Sequence, residues 1–98
     1  MSFQGEIDLV ALDKETIVFV EVRSTENEDL ARPAASVDST KQHRLTAAAE
    51  AFLQAHSLLG CSARFDVITI SWPDLYRSPV VQHWPAAFPA MGRFQMFR

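Results

Sequence analysis

The feature that most constrains this chain is a pair of short segments, residues 6–11 and 17–23, that both read as β-strands. In Glu6-Ile7-Asp8-Leu9-Val10-Ala11, one side carries Ile7, Leu9 and Ala11 and the other carries Glu6, Asp8 and Val10. That period of two belongs to a strand with two unlike faces. Ile17-Val18-Phe19-Val20-Glu21-Val22-Arg23 is rich in β-branched and aromatic residues, as a buried strand requires. The polar stretch from Leu12 to Thr16 joins them as a hairpin. Two simple loops are open. A turn at Asp13-Lys14 pairs Leu12 with Glu15 and sets Asp8 opposite Phe19 and Glu6 opposite Glu21. A loop from Asp13 to Thr16 pairs Leu12 with Ile17, and sets Asp8 opposite Glu21 and Glu6 opposite Arg23. Both registers gather Glu6, Asp8, Glu21 and Arg23 on one face, because side chains alternate strictly along a strand.

Three carboxylates within cross-strand reach repel one another. If buried, they raise their pKa values or need positive charge beside them. Arg23 offers one such charge. A hard divalent cation, Mg²⁺ or Mn²⁺, offers two, and carboxylate oxygens suit it. The backbone carbonyl of Val22 adds a further oxygen at the same place. Carboxylates on a strand are more often a solvated, ion-paired face. The setting of Glu21 argues the other way, since its strand is otherwise apolar and a buried charge is costly unless paired or bound.

The rest of the chain frames this hairpin. Residues 24–36 are polar, include Pro33 and read as a loop. A helix follows, capped by Asp38 or Ser39, with Leu45, Ala48, Ala49, Phe52 and Leu53 forming one apolar stripe and Gly60 marking its stop. Lys41 lies one turn before Leu45 on that stripe and therefore points toward the sheet. Residues 64–71 form a third strand and residues 80–84 a fourth, giving the order β-β-α-β-β in an α/β (α+β) core with a mixed sheet. The tail from Pro85, with Met91, Phe94, Met96 and Phe97, has no convincing period.

The 98 residues make a single domain, with a core at about 5–88 and a tail at 89–98. No apolar run approaches the ~20 residues of a membrane span, and no basic-then-apolar leader opens the chain. Cys61 stands alone, which excludes an internal disulfide and fits a reducing, cytoplasmic compartment. The net charge of −3 argues against a general basic nucleic-acid binder. A local basic edge remains in Arg23, Arg32, Lys41, His43 and Arg44. His43, His56 and His83 show no ligand spacing and read as solvated or structural. Asp66 interrupts an apolar strand, where it bonds backbone or Arg64.

GEIDLVA at 5–11, VFVEVR at 18–23, VDSTKQHRL at 37–45 and RFDVITI at 64–70 resemble successive blocks of the uncharacterised YraN-type family, with QHWPAAF resembling its closing segment. That family is grouped with the restriction-endonuclease-like, or PD-(D/E)xK, nucleases. The resemblance implies a restriction-endonuclease-like core and a magnesium- or manganese-dependent hydrolase of phosphodiesters acting on DNA, branched or damaged DNA included. It makes Asp8 and Glu21 metal ligands together with the Val22 carbonyl, and it puts Arg23 where the motif has Lys. Lys41 joins these three as a catalytic residue, Gln42 and Glu6 are accessory, and Arg23, Lys41 and Arg44 bind nucleic acid. It also implies that the family's N-terminal helix is lacking here, so that either another chain, as in a homodimer, covers the face left open or the chain is a shortened gene product. Arg holds its proton at any relevant pH and grips phosphate in a fork, so Arg23 positions phosphate rather than activating water. A nucleic-acid-binding module without cleavage, and a dimeric protein-interaction domain, are the competing expectations.

Overall fold

The computed structural model describes residues 7–25, 37–72 and 77–89. Within them the chain forms β1 (Leu9–Asp13), β2 (Thr16–Thr25), α1 (Ser39–Ala55), β3 (Ala63–Ser71) and β4 (Val80–Phe88). The strands make one mixed sheet in the order β1-β2-β3-β4. The outer pairs are antiparallel and the central pair, β2 with β3, is parallel. A parallel pair needs a long crossover, and α1 lies in it. The fold is therefore mixed α+β, with the expected element order. No helix among the described residues is long and apolar enough to cross a membrane.

The hairpin adopts the register that pairs Leu12 with Ile17, and the alternative with Leu12 opposite Glu15 is excluded. The loop is shorter than the four-residue reading that shares this register. Asp13 pairs with Thr16, leaving Lys14-Glu15 as the turn. Lys14 takes a left-handed φ of 57°, the backbone twist that short hairpin turns demand. β1 also starts later than its alternation suggests, at Leu9. Glu6 lies outside the described residues.

The core sits between α1 and one face of the sheet. Ile17 and Phe19 of β2, Ala63, Phe65 and Val67 of β3, and Phe88 of β4 pack there against Leu45, Ala49 and Leu53 of α1. Phe52 meets Phe19 edge-on at 5.7 Å, inside the range of favourable aromatic pairs. Asp38 caps α1, its Oδ1 accepting the Lys41 N–H at 2.8 Å. The expected stop at Gly60 comes too late. The helix ends at Ala55, and Ser57 turns the chain with φ 58°. Leu58 N–H bonds to Leu53 O and Ser57 N–H to Gln54 O, the paired bonds of a Schellman ending. Leu58 then returns to the core, so its apolar contact closes the helix in place of a glycine.

β4 runs past Trp84, where it was expected to end, to Phe88. A bulge permits this: Phe65 pairs with Phe88 and Val67 with Trp84, so Pro85, Ala86 and Ala87 together oppose Asp66. Pro85 is tolerated there because a bulge asks nothing of its missing N–H. Ala86 adopts φ 49° and gives its N–H to Asp66 Oδ1 at 2.9 Å. The remaining tail lies outside the described residues.

Candidate metal centre

β2 enters the sheet with Ile17 and Phe19 facing α1, and the same alternation turns Glu21 and Arg23 to that side. Glu21 follows two buried apolar residues of its face and is itself 4 % exposed. Its β1-side neighbour in the ladder is Asp8, which stands just before β1. The Asp8 carboxylate accepts the Val22 N–H at 2.8 Å, doing the work of a backbone carbonyl where the ladder stops. A residue in an antiparallel ladder offers its amide and carbonyl to the same neighbour. Val22 therefore also turns its carbonyl toward the Asp8 side.

The first turn of α1 delivers the countercharge. Lys41 Nζ lies 3.1 Å from Glu21 Oε2, and Arg23 Nη1 lies 3.8 Å from the same oxygen. Both contacts are ionic only. Oε2 is buried and has no aligned hydrogen bond among the described residues. Buried polar atoms left in this state are rare and call for an explanation.

The two acids titrate in opposite directions. Burial, and then the hydrogen bond with Asp8, push the Glu21 carboxyl above the usual range, with Lys41 opposing. The hydrogen bond from Glu21 holds Asp8 below its usual range against a smaller effect of burial, helped by the Val22 N–H, Lys41 and Arg23. Glu21 is thus the harder of the two acids to ionise and Asp8 the easier. Two interacting carboxyl groups titrate as a pair rather than singly.

The structure thus brings Asp8, Glu21, Arg23 and Lys41 into one cluster. Gln42 stands beside it, but its Nε2 donates to the Val37 carbonyl at 2.8 Å, tying down the entry to the helix. Arg44 is exposed on α1, and no contact among the described residues joins it to the acids. His43 is exposed, with its ring bonded to the Ser39 carbonyl at 2.8 Å, as a solvated helix residue. Among the described residues, no three His, Cys, Asp or Glu side chains gather around one point. The donor set nevertheless fits a hard divalent cation. Mg²⁺ commonly uses one or two carboxylates and takes its other ligands from water and substrate oxygens. Asp8, Glu21 with its orphaned Oε2, and the Val22 carbonyl supply oxygens alone.

A second acidic cluster lies on the opposite face of the sheet, and sequence reasoning found only part of it. Asp66, 1 % exposed, accepts from Arg64 Nε at 2.9 Å, as the spacing of two along a strand suggests. It also meets His83 Nε2 at 2.6 Å and the Ala86 N–H in the bulge. Arg64 Nη1 continues to Asp13 Oδ2 at 3.0 Å. His83 could be placed only once the β3–β4 register was known.

Residues 1–70 match the uncharacterised protein family UPF0102. The chain belongs to that family. A UPF0102 protein of Rhodopirellula baltica, RB9115, is 46 % identical over 91 residues, covering 90 % of this chain and 54 % of its own length. UPF0102 proteins of Anaeromyxobacter dehalogenans and Xanthomonas oryzae are 41 % and 43 % identical, over 92 % and 82 % of this chain. The matches cover 66 % and 62 % of those two relatives. This UPF0102 chain thus spans between about half and two thirds of the length of these curated relatives. The matched residues 1–70 include Asp8, Glu21, Arg23 and Lys41.

Proposed function

We propose that this UPF0102 chain is a nuclease-like protein of the restriction-endonuclease-like type, which binds DNA and hydrolyses phosphodiesters with Mg²⁺ or Mn²⁺. The observation that carries the reading is Glu21: a buried carboxyl with one oxygen orphaned, set beside a second acid and faced by two cations. Acids perturbed by burial beside specific charged partners cluster at functional sites.

Asp8, Glu21 and the Val22 carbonyl would hold the metal. When bound, it supplies a lowered pKa for water and charge stabilisation at the phosphoryl group. The chain's own cations have separate tasks. Arg23, permanently charged and partly exposed, grips a phosphate oxygen in its fork and supports the charge that builds up there. Lys41 brings a compact charge from the capped end of α1. Neither is placed to accept a proton from water, so Arg23 at the position of the motif's Lys favours one alternative, a module that holds DNA without cutting it.

Incubation with branched and linear DNA and Mn²⁺ or Mg²⁺ separates the two. Cleavage that disappears in Asp8→Asn and Glu21→Gln supports the enzyme. Salt-sensitive binding without cleavage, weakened in an Arg23→Gln, Lys41→Gln double variant, supports the binding module. Neither cleavage nor binding by the parent protein would overturn both.

A further inference from the structure

Two positive side chains converge on a single oxygen. Lys41 Nζ and Arg23 Nη1 both approach Glu21 Oε2, at 3.1 and 3.8 Å, and neither makes an aligned hydrogen bond to it. Their summed charge is that of a divalent cation, and the oxygen they share is the one the proposed centre would offer. The two cations differ in how they are held. Arg23 is fixed to the same strand as Glu21, two residues away. Lys41 reaches across from α1 on a flexible four-carbon stem, and its side chain is 30 % exposed. Both side chains can swing away without moving the backbone, but Lys41 makes the closer contact and its ammonium takes the space beside Oε2 that an incoming cation needs.

We propose that Lys41 is a displaceable stand-in for the metal: it neutralises Glu21 in the metal-free protein and gives up Oε2 when a divalent cation binds. The freed ammonium, released at the site's rim, then takes an anionic oxygen of a phosphodiester. Cation and DNA thereby bind with positive coupling. Each removes a cost that the other would otherwise meet, and linkage makes the effect reciprocal. The proposal rests on the metal-centre reading above and adds a competition within it.

The experiment counts free Mn²⁺ by electron paramagnetic resonance in titrations of the whole chain, with and without a short DNA duplex at 4 °C. The parent protein binds Mn²⁺ weakly alone, and about fivefold or more tightly with DNA, the lower end of usual coupling. Lys41→Met, which lacks the competitor, binds Mn²⁺ at least about fivefold more tightly alone and loses the enhancement by DNA. Lys41→Arg keeps a competing cation and stays close to the parent, and circular dichroism confirms that each variant folds. Mn²⁺ affinity unchanged or weakened in Lys41→Met overturns the stand-in while leaving the metal centre intact, provided Asp8→Asn abolishes binding. If neither the parent nor Lys41→Met binds Mn²⁺, or if Asp8→Asn binds it as well as the parent, the metal-centre reading fails and the stand-in falls with it.

Discussion

Glu21 and Asp66 are buried acids on neighbouring strands, and they are treated in opposite ways. In the β2–β3 ladder Val20 pairs with Asp66 and Glu21 with Val67, so the two carboxyls lie one residue apart on opposite faces. Asp66 is surrounded by donors: Arg64 by two nitrogens, His83, and the Ala86 N–H. Burial works to raise its pKa, but those donors outweigh burial and hold it below the usual range. Glu21 has an oxygen without an aligned partner, and burial together with Asp8 raises its pKa. A satisfied buried network fixes one structure, while a half-satisfied one is costly unless something else completes it. Asp66 is therefore an acid the fold uses, and Glu21 an acid the fold tolerates.

The largest test of that contrast is removal of each acid. Asp66→Ala leaves Arg64 with Asp13 alone among the described residues, takes the acceptor from His83 and the Ala86 N–H, and is expected to lose about 3–5 kcal/mol, the usual result of breaking a buried ion pair. Glu21→Gln should do the reverse, keeping the shape without the buried charge and gaining roughly 0.5–2 kcal/mol, as changes at strained functional sites often do. Urea melts of both variants beside the parent decide the matter. Losses of equal size at the two positions would break the comparison.

Acid titration sharpens it. Asp66 has a folded pKa below its unfolded value, so its contribution is present above the ordinary carboxylate range, near pH 4, and is lost as pH falls through the folded value. Glu21 has a folded pKa above its unfolded value, so its protonated form favours the folded state at low pH and that advantage is lost as pH rises through the folded value. Between pH 4 and pH 7 Glu21→Gln should therefore gain most at the upper end, a trend that melting temperatures across the range would record. Smallest is Arg23→Gln. Its ionic contact at 3.8 Å is partly exposed, and its removal should change stability by under about 1 kcal/mol, while DNA retention on a salt gradient falls clearly.

Much of the site was legible because it obeys local periods. Alternation along β2 placed Glu21 and Arg23 on one side, and the step of four from Leu45 placed Lys41 toward them. The register that pairs Leu12 with Ile17 was one of two readings, and no local signal chose between them: Ile17 packs in the core beside Phe19, while Leu12 stays exposed. The late start of β1 was hidden because a side chain, Asp8, replaces the backbone bond there. The early end of α1 was hidden because Leu58 packing stands in for glycine. The passage of β4 through Pro85 depends on Asp66, twenty residues away, and no local signal carries a contact of that span.

The bond from Val22 N–H to Asp8 has a consequence beyond geometry. Where two backbones pair, the edge of a sheet is indifferent to what its side chains bind. Here the last rung of the β1–β2 edge is a carboxylate that also belongs to the acid pair. Any ion that draws Asp8 inward takes that rung away, and any ion that leaves restores it. If the acids hold a cation as proposed above, the Val22 amide would be a gauge of it in the main chain, its exchange with solvent hydrogen rising and falling with occupancy.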